Sequence, residues 1–126
     1  MEALVLNALL KLQARMPGEP DLDHPRPERL LRGDPQRETW NLLSQAVAGA
    51  QVDGGVWRCE PGHWRIAMGA NEIELFTVLA GRCRVHAADG SFQECRPGEA
   101  LIIPAGFVGS FEVLETVTKT YMIVSA

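Results

Sequence analysis

From Glu38 onward, apolar and polar residues alternate in short runs, each halted by glycine, proline, asparagine or aspartate. Alternation over about four to eight residues marks a strand with one buried face, because successive side chains leave opposite sides of a pleated backbone. The runs predict strands near 38–47, 54–60, 63–69, 73–80, 82–88, 92–95, 100–103, 109–114 and 117–124. Their punctuation is Asp53-Gly54-Gly55, Pro61-Gly62, Gly69-Ala70-Asn71, Gly81, Asp89-Gly90, Pro97-Gly98 and Pro104-Ala105-Gly106. Asp89-Gly90 is the clearest hairpin signal, since a tight turn there needs positive φ. Many short strands with glycine and proline turns imply a sandwich or a barrel.

The first part of the chain reads differently. In residues 3–15, Leu4, Ala8, Leu9 and Leu12 fit a helix, whereas Leu4, Leu6, Ala8, Leu10 and Leu12 fit a strand. The surrounding Ala, Leu, Lys, Gln and Arg favour a short amphipathic helix. Pro17, Pro20, Pro25 and Pro27 then forbid a regular element and predict an extended arm across the outside of the barrel. The division expected is an N-terminal segment and arm over residues 1–37 and a barrel over 38–126.

Composition narrows the function classes. A chain of 126 residues is one domain with room for one core, and a formal charge of −4 lacks the basic footprint of a nucleic-acid binder. The apolar run in MEALVLNALLKLQARMPGEP is short, begins with Glu2 and is interrupted by Asn7 and Lys11, so neither a signal peptide nor a membrane span is expected. Cys59, Cys83 and Cys95 form no C-x-x-C pair and read as reduced, buried thiols of a cytoplasmic protein. Arg26, Arg29, Arg32 and Arg37 are interleaved with Glu28, Asp34 and Glu38, a solvated mixed-charge arm. Trp40 and Trp57 read as core or interface anchors.

Two spacings carry a family resemblance. Gly62-x5-Met68-x-Ala70-x3-Glu74-x6-Gly81 resembles the first cupin motif, G-x5-H-x-H-x3-E-x6-G, with both histidines replaced. Gly98-x5-Pro104-x-Gly106-x2-Gly109-x3-Val113 resembles the second, G-x5-P-x-G-x2-H-x3-N, without its histidine and asparagine. GVWRCEPGHWRI, FTVLAGRCRV, PGEALIIPAGFVGSFEVLE and TKTYMIV, with the preceding RPERLLRGDPQRETWN, are similar to small single-domain cupins related to the cupin part of ureidoglycine aminohydrolase. The resemblance implies an all-β, single-domain cupin jelly-roll barrel with an N-terminal helix or strand and an extended arm. In the family, three histidines and a carboxylate hold a divalent metal inside the barrel. Here those positions are Met68, Ala70, Glu74 and Gly109, one carboxylate and one thioether, so neither metal nor cofactor is expected at the usual place. His24, His63 and His86 stand at no ligand spacing, and His86 shares an outward parity with Arg82 and Arg84.

If Glu74 points inward, Phe76 and Val78 follow it, and Trp64, Ile66 and Met68 share one parity in the preceding run. In the last run Lys119, Tyr121 and Ile123 share a face, and the resemblance implies that this face is interior. The candidate site is therefore Glu74, Lys119 and Tyr121 as catalytic groups, with Trp64, Met68, Phe76 and Phe111 as an apolar ligand-binding surround. A carboxylate and an amine meeting in a dry pocket can move a proton or hold a small polar ligand. They can also simply fix the register of a small barrel. The leading expectation is a small-molecule-binding cupin of unassigned activity. The alternatives are a metal-independent enzyme acting on a small polar metabolite, such as a sugar derivative or ureide, and a structural or accessory dimer. A homodimer is expected because an open jelly roll leaves edges and a sheet face to cover.

Overall fold

The computed structural model describes residues 7–126. Nine strands follow in order: β1 Asp21–Asp23, β2 Leu30–Arg32, β3 Arg37–Val47, β4 Ala50–Cys59, β5 Gly62–Ala67, β6 Glu72–Ala87, β7 Phe92–Cys95, β8 Ala100–Ile103 and β9 Val108–Ser125. Among the described residues the only helical element is a single 3-10 turn at Pro27–Arg29, and no helix is long and apolar enough to cross a membrane.

The two longest strands organise the molecule. The second half of β9 lies between β4 and the first half of β6, pairing Trp57 with Lys119 and Phe76 with Tyr121. Its first half lies between β5 and the second half of β6, where Trp64 and Val85 both face Phe111 in register. Among the described residues all strand pairs are antiparallel, and the sheet curls into an all-β jelly-roll barrel, where the alternating runs left a sandwich or a barrel open and the resemblance implied the barrel. The curl is made where β6 and β9 bend together. At Gly81 the backbone takes φ +80°, and a Cβ there would stand 2.0 Å from the Thr116 carbonyl oxygen. Gly81 is thus a bend inside one strand rather than the break between two strands expected from the sequence. The register shifts between Val78 and Cys83 absorb the change of direction. Glu115 and Thr116 likewise continue β9 instead of interrupting it.

A second expected break also falls inside a strand. Gly54 and Gly55 lie within β4, and the β3–β4 turn is Ala48-Gly49, both residues at positive φ. Gly55 is glycine for another reason: a Cβ would come within 1.9 Å of the Trp40 carbonyl, at the bulge between Asn41 and Leu43. Of the expected N-terminal helix, residues 3–6 lie outside the described residues, and 7–15 contain no helix. Leu9 is fully exposed and Leu10 half-exposed, so this segment has no packed stripe to stabilise a helix too short to stand alone.

The arm takes more part in the fold than its prolines suggested. β1 adds to the edge of β3, and β2 adds to β5. Trp40 Nε1 donates to the Gly18 carbonyl at 3.1 Å, pinning the arm; Trp40 is half-buried and lies outside the core. The buried Pro35 occupies the space a side chain at Gly62 would fill, 2.5 Å from its Cβ position. The core is the sheet interior: Phe76, Val78, Cys83, Val85, Phe111, Val113 and Val117, with Cys59 and Cys95. All three cysteines are free and buried, and burial pushes the thiols of Cys59 and Cys83 up to about 12.

Candidate functional site

Period two delivers the inward set as the sequence implied. Glu74 on β6, Trp64, Ile66 and Met68 on and just after β5, and Lys119, Tyr121 and Ile123 on β9 all line one cavity of about 580 Å³. Phe111 and Trp57 complete its aromatic wall. Phe76 does not reach the cavity wall; it lies fully buried beneath Lys119.

Lys119 is the centre of the arrangement. Its ammonium donates to Glu74 Oε2 at 2.9 Å, with side chains 7% and 13% exposed respectively. Ring faces surround the same nitrogen: Phe76 at 4.2 Å, Trp57 at 4.6 Å and Phe111 at 4.8 Å to the centroids. The electron-rich face of each ring attracts the cation, and more strongly where water is excluded. The rings brace one another, Trp64 against Phe111 at 5.3 Å and Trp57 edge-on to Phe111 at 5.6 Å. Among the described residues one carboxylate is the conventional acceptor of an ammonium that carries three N–H donors, so the site has donor capacity left for a guest.

Tyr121 is tied differently. Its hydroxyl donates to Asn41 Oδ1 at 2.7 Å, and Asn41 Nδ2 donates to Asp53 Oδ1 at 3.2 Å. Burial, reinforced by the negative charges of Asp53, Glu74 and Asp21, pushes the phenol up to about 12. Tyr121 is therefore a neutral, oriented wall residue. The cavity mouth is built by residues that no sequence motif singled out: Asp21 and Asp23 from β1, Arg37, Thr39 and Asn41 from β3, and Asp53 from β4. Arg37 makes a two-pronged pair with Asp23, at 2.9 and 2.6 Å, and lies 5.6 Å over the Trp64 ring. No spacing rule could have found Asp21 and Asp23, because β1 and β3 meet only through the edge pairing of the arm. Trp57, expected as an anchor, is part of the wall as well.

The family's metal set can be tested residue by residue. Met68 lines the cavity, Ala70 is in the β5–β6 turn, and Glu74 is committed to Lys119. At Gly109 a Cβ would meet the His86 carbonyl oxygen at 2.0 Å and Phe107 ring carbons at 2.8 Å, so this backbone has no room for the motif's histidine. Among the described residues no group of three or more His, Cys, Asp or Glu is placed to hold a metal ion. The residues present do not fit the family's metal.

The histidines are closer than their spacing suggested. His63 and His86 stack on the outer face at 5.0 Å between ring centroids. His63 Nε2 is 2.7 Å from Ser110 Oγ, and His86 Nε2 is 2.8 Å from Glu112 Oε1, which Arg32 also reaches through the other oxygen at 3.2 Å. Burial holds His63 below its ordinary value; Glu112 opposes that effect, while His86 and Arg32 add to it. His24 lies apart on the arm, facing Asp34.

The curled antiparallel jelly roll is a cupin-type barrel, and its interior holds an acid–amine pair. The chain belongs to the EutQ-like cupin domain family (Cupin_3), whose model matches residues 48–121. No curated protein matches it. Among solved structures it is similar to a protein of unknown function from Pseudomonas syringae pv. tomato (21% identity, TM-score 0.74, covering 89% of this chain and 46% of that one). It is also similar to the Clostridium difficile EutQ protein (20%, TM-score 0.62, covering 73% and 64%). A third likeness is to ethanolamine utilization protein Q from Salmonella typhimurium LT2 (15%, TM-score 0.61, covering 86% and 97%). The chain spans about half the length of the first and under two thirds of the second. At these identities the likeness speaks for the fold.

Proposed function

We propose that this cupin binds a small polar molecule in the barrel cavity, using Lys119, held by Glu74, as the group that engages an acceptor oxygen of the guest. The supporting observation is the ammonium itself: buried, fixed by one carboxylate and three rings, and facing a cavity of about 580 Å³ with N–H donors to spare. Trp64, Met68, Phe111 and Trp57 supply apolar contact, and Tyr121 a fixed polar edge. Phe76 supports Lys119 from behind and is not assigned to the guest. The likeness to cupins related to ureidoglycine aminohydrolase fits a ureide-sized guest, but that enzyme's metal chemistry is not carried over. The three free, buried thiols favour a reducing compartment such as the cytoplasm.

The test is thermal unfolding against a panel of metabolites bearing carboxylate, carbonyl or hydroxyl oxygens, repeated with Lys119→Met and Glu74→Gln. At a hundredfold excess over Kd, a ligand adds about 2.7 kcal/mol of apparent stability. A stabilising compound should lose its effect in Lys119→Met. No stabilising compound at all, or full binding by Lys119→Met, defeats the reading. The enzyme alternative assigns proton transfer to the same pair, and turnover of a bound compound that disappears in Glu74→Gln would establish it.

We also propose that a second copy covers the outer face of the sheet across β3, β4, β9, β6 and β8. Leu43, Gly54, Met122, Leu75 and Ile102 are successive register partners across β3, β4, β9, β6 and β8. Leu75, Met122 and Ile102 are all exposed, and Ile73 extends the patch. Five strands at about 4.8 Å spacing span about 19 Å, and the row carries no charge that would select an oppositely charged partner. Light scattering should report a dimer for the native chain and a monomer for Ile102→Glu with Leu75→Arg; a monomeric native chain removes the proposal. Domain limits at 1–37 and 38–126 are retained as a proposal, with the arm's Asp21 and Asp23 serving the barrel's cavity.

A further inference from the structure

Lys119 and Glu74 meet through a single contact, and each keeps hydrogen-bonding capacity beyond it. The Lys119 ammonium gives one N–H to Glu74 Oε2 at 2.9 Å and has no other hydrogen-bond acceptor among the described residues. Glu74 Oε1 has no partner among them at all. No buried side-chain nitrogen or oxygen among the described residues is left without a partner. Oε1 is therefore reachable from outside, and the space beside it is the cavity that Glu74 and Lys119 both line. A free donor and a free acceptor thus stand side by side on two largely buried side chains.

The chemistry of the two groups decides what can fill both positions. An ammonium only donates, and a carboxylate oxygen only accepts. A guest carboxylate would take an N–H of Lys119 and set its second oxygen against Glu74 Oε1, lone pair to lone pair. A guest amine would satisfy Oε1 and meet Lys119 with like charge. A primary carboxamide or a lactam carries a carbonyl oxygen and an N–H on the same side of one plane. It answers both groups at once and adds no charge to a pair that is already balanced.

The surroundings ask for an aliphatic body. The register partners of Glu74 are Ile103 on β8 and Ile123 on β9, and both line the cavity with Ile66 and Met68. The chain's own cations already lie over the ring faces, Lys119 over Trp57 and Phe111, and Arg37 over Trp64. Alkyl side chains and ring edges are left to receive the guest.

Resting on the binding reading above, we propose that the guest is a neutral primary carboxamide or lactam with an aliphatic body. Its carbonyl oxygen accepts from Lys119 Nζ, its N–H donates to Glu74 Oε1, and its alkyl part lies against Ile103 and Ile123.

Five compounds built on one isobutyl group separate these requirements: isovaleramide, isobutyl methyl ketone, isovalerate, isoamylamine and isoamyl alcohol, each titrated calorimetrically into the full chain. Isovaleramide should bind at least about tenfold more tightly than any of the others, a gap of about 1.4 kcal/mol. The ketone is the decisive comparison, because it keeps the carbonyl and the shape and lacks the N–H, and a site built to bond an N–H rejects the analogue without one. In Glu74→Gln the side-chain oxygen takes the Lys119 contact and an NH2 group replaces Oε1. The pocket then offers donors on both sides, and isovalerate should overtake isovaleramide. A ketone, alcohol or either ion that binds the native chain as tightly as the amide overturns the assignment, as does an amide preference unchanged in Glu74→Gln. The ketone comparison needs the native chain alone, so it decides the matter even if Glu74→Gln does not fold. If none of the five binds but an oxygen-bearing metabolite from the earlier panel does, the amide assignment alone falls and the cavity remains a binding site. If nothing binds in either experiment, both readings fall.

Discussion

Removing the amine of residue 119 isolates the central interaction. In Lys119→Met the aliphatic stem is largely replaced, so the cavity changes little in volume. The Glu74 carboxylate, 13% exposed, loses its cation. The three ring faces at 4.2–4.8 Å lose theirs as well. Breaking a buried pair by deleting one member costs about 3–5 kcal/mol, because the survivor remains desolvated and uncompensated. The lower end applies here, since Glu74 borders a cavity that admits water, giving about 3 kcal/mol. For a chain of this length about 1 kcal/mol corresponds to roughly 4 °C in Tm, so Tm should fall by about 12 °C. The companion Glu74→Leu should cost a similar amount by stranding the ammonium. The double variant Lys119→Met with Glu74→Leu should recover to within about 1 kcal/mol of the native chain, because neither charge then remains unpaired. Urea denaturation of all four proteins closes the cycle. Additive losses, with the double variant about 6 kcal/mol below native, would mean that the two groups do not sense each other and that the 2.9 Å contact is not the feature organising the cavity.

Two titrations read other parts of the molecule. Tyr121 is the only tyrosine, so phenolate absorbance reports it alone. The native chain should titrate near 12, about two units above an ordinary phenol, and Asp53→Asn should bring the value down; the unfolded chain ionises first, so stability should fall as pH rises from about 10 towards 12. A native titration at the ordinary value would refute the buried, negatively surrounded placement. On the acid side, His63 is held below its ordinary 6.5 by burial, so the unfolded chain takes up its proton first and stability should decline as pH drops below 6.5. Glu94 then adds its own loss: hydrogen bonds from Arg96 and Arg84 hold it at about 2, so its stabilisation is present above 4.5 and disappears as pH falls towards 2. Denaturant midpoints across pH for the native chain and His63→Gln separate the two, since the substitution should flatten only the first decline; an unaltered profile would show that His63 is not buried in its stack with His86.

The sequence was most legible where local chemistry decides the outcome. Asp89-Gly90 makes its turn, with Gly90 at positive φ, and 92–95 and 100–103 are strands to the residue. Parity grouped Trp64 with Met68 and Lys119 with Tyr121, but left open which face of the last strand is interior; the family resemblance supplied that choice, and all four residues line the cavity with Glu74. Legibility failed where a residue serves a distant neighbour. Gly55 looks like a turn residue but makes room for the Trp40 carbonyl across the sheet, and Gly81 bends β6 against Thr116. His63 and His86 lie on different strands, far apart along the chain, and only the β5–β9–β6 pairing stacks them. Part of the cavity lining was invisible for the same reason: Asp21 reaches the strand of Arg37 only through edge pairing of a proline-rich arm, and Asp53 lies across the β3–β4 hairpin.

The substituted motif positions and the lysine are best understood together. A lone carboxylate inside a barrel is costly unless a cation meets it. In the family's pattern that cation is a metal, and its retention needs the imidazoles that Met68, Ala70 and Gly109 do not provide. Lys119 reaches Glu74 from the neighbouring strand and answers the same electrostatic demand with a covalently attached charge. The replacement alters what the cavity can do with a guest. A divalent ion offers open coordination positions and polarises whatever occupies them, whereas an ammonium offers directed N–H donors of fixed number.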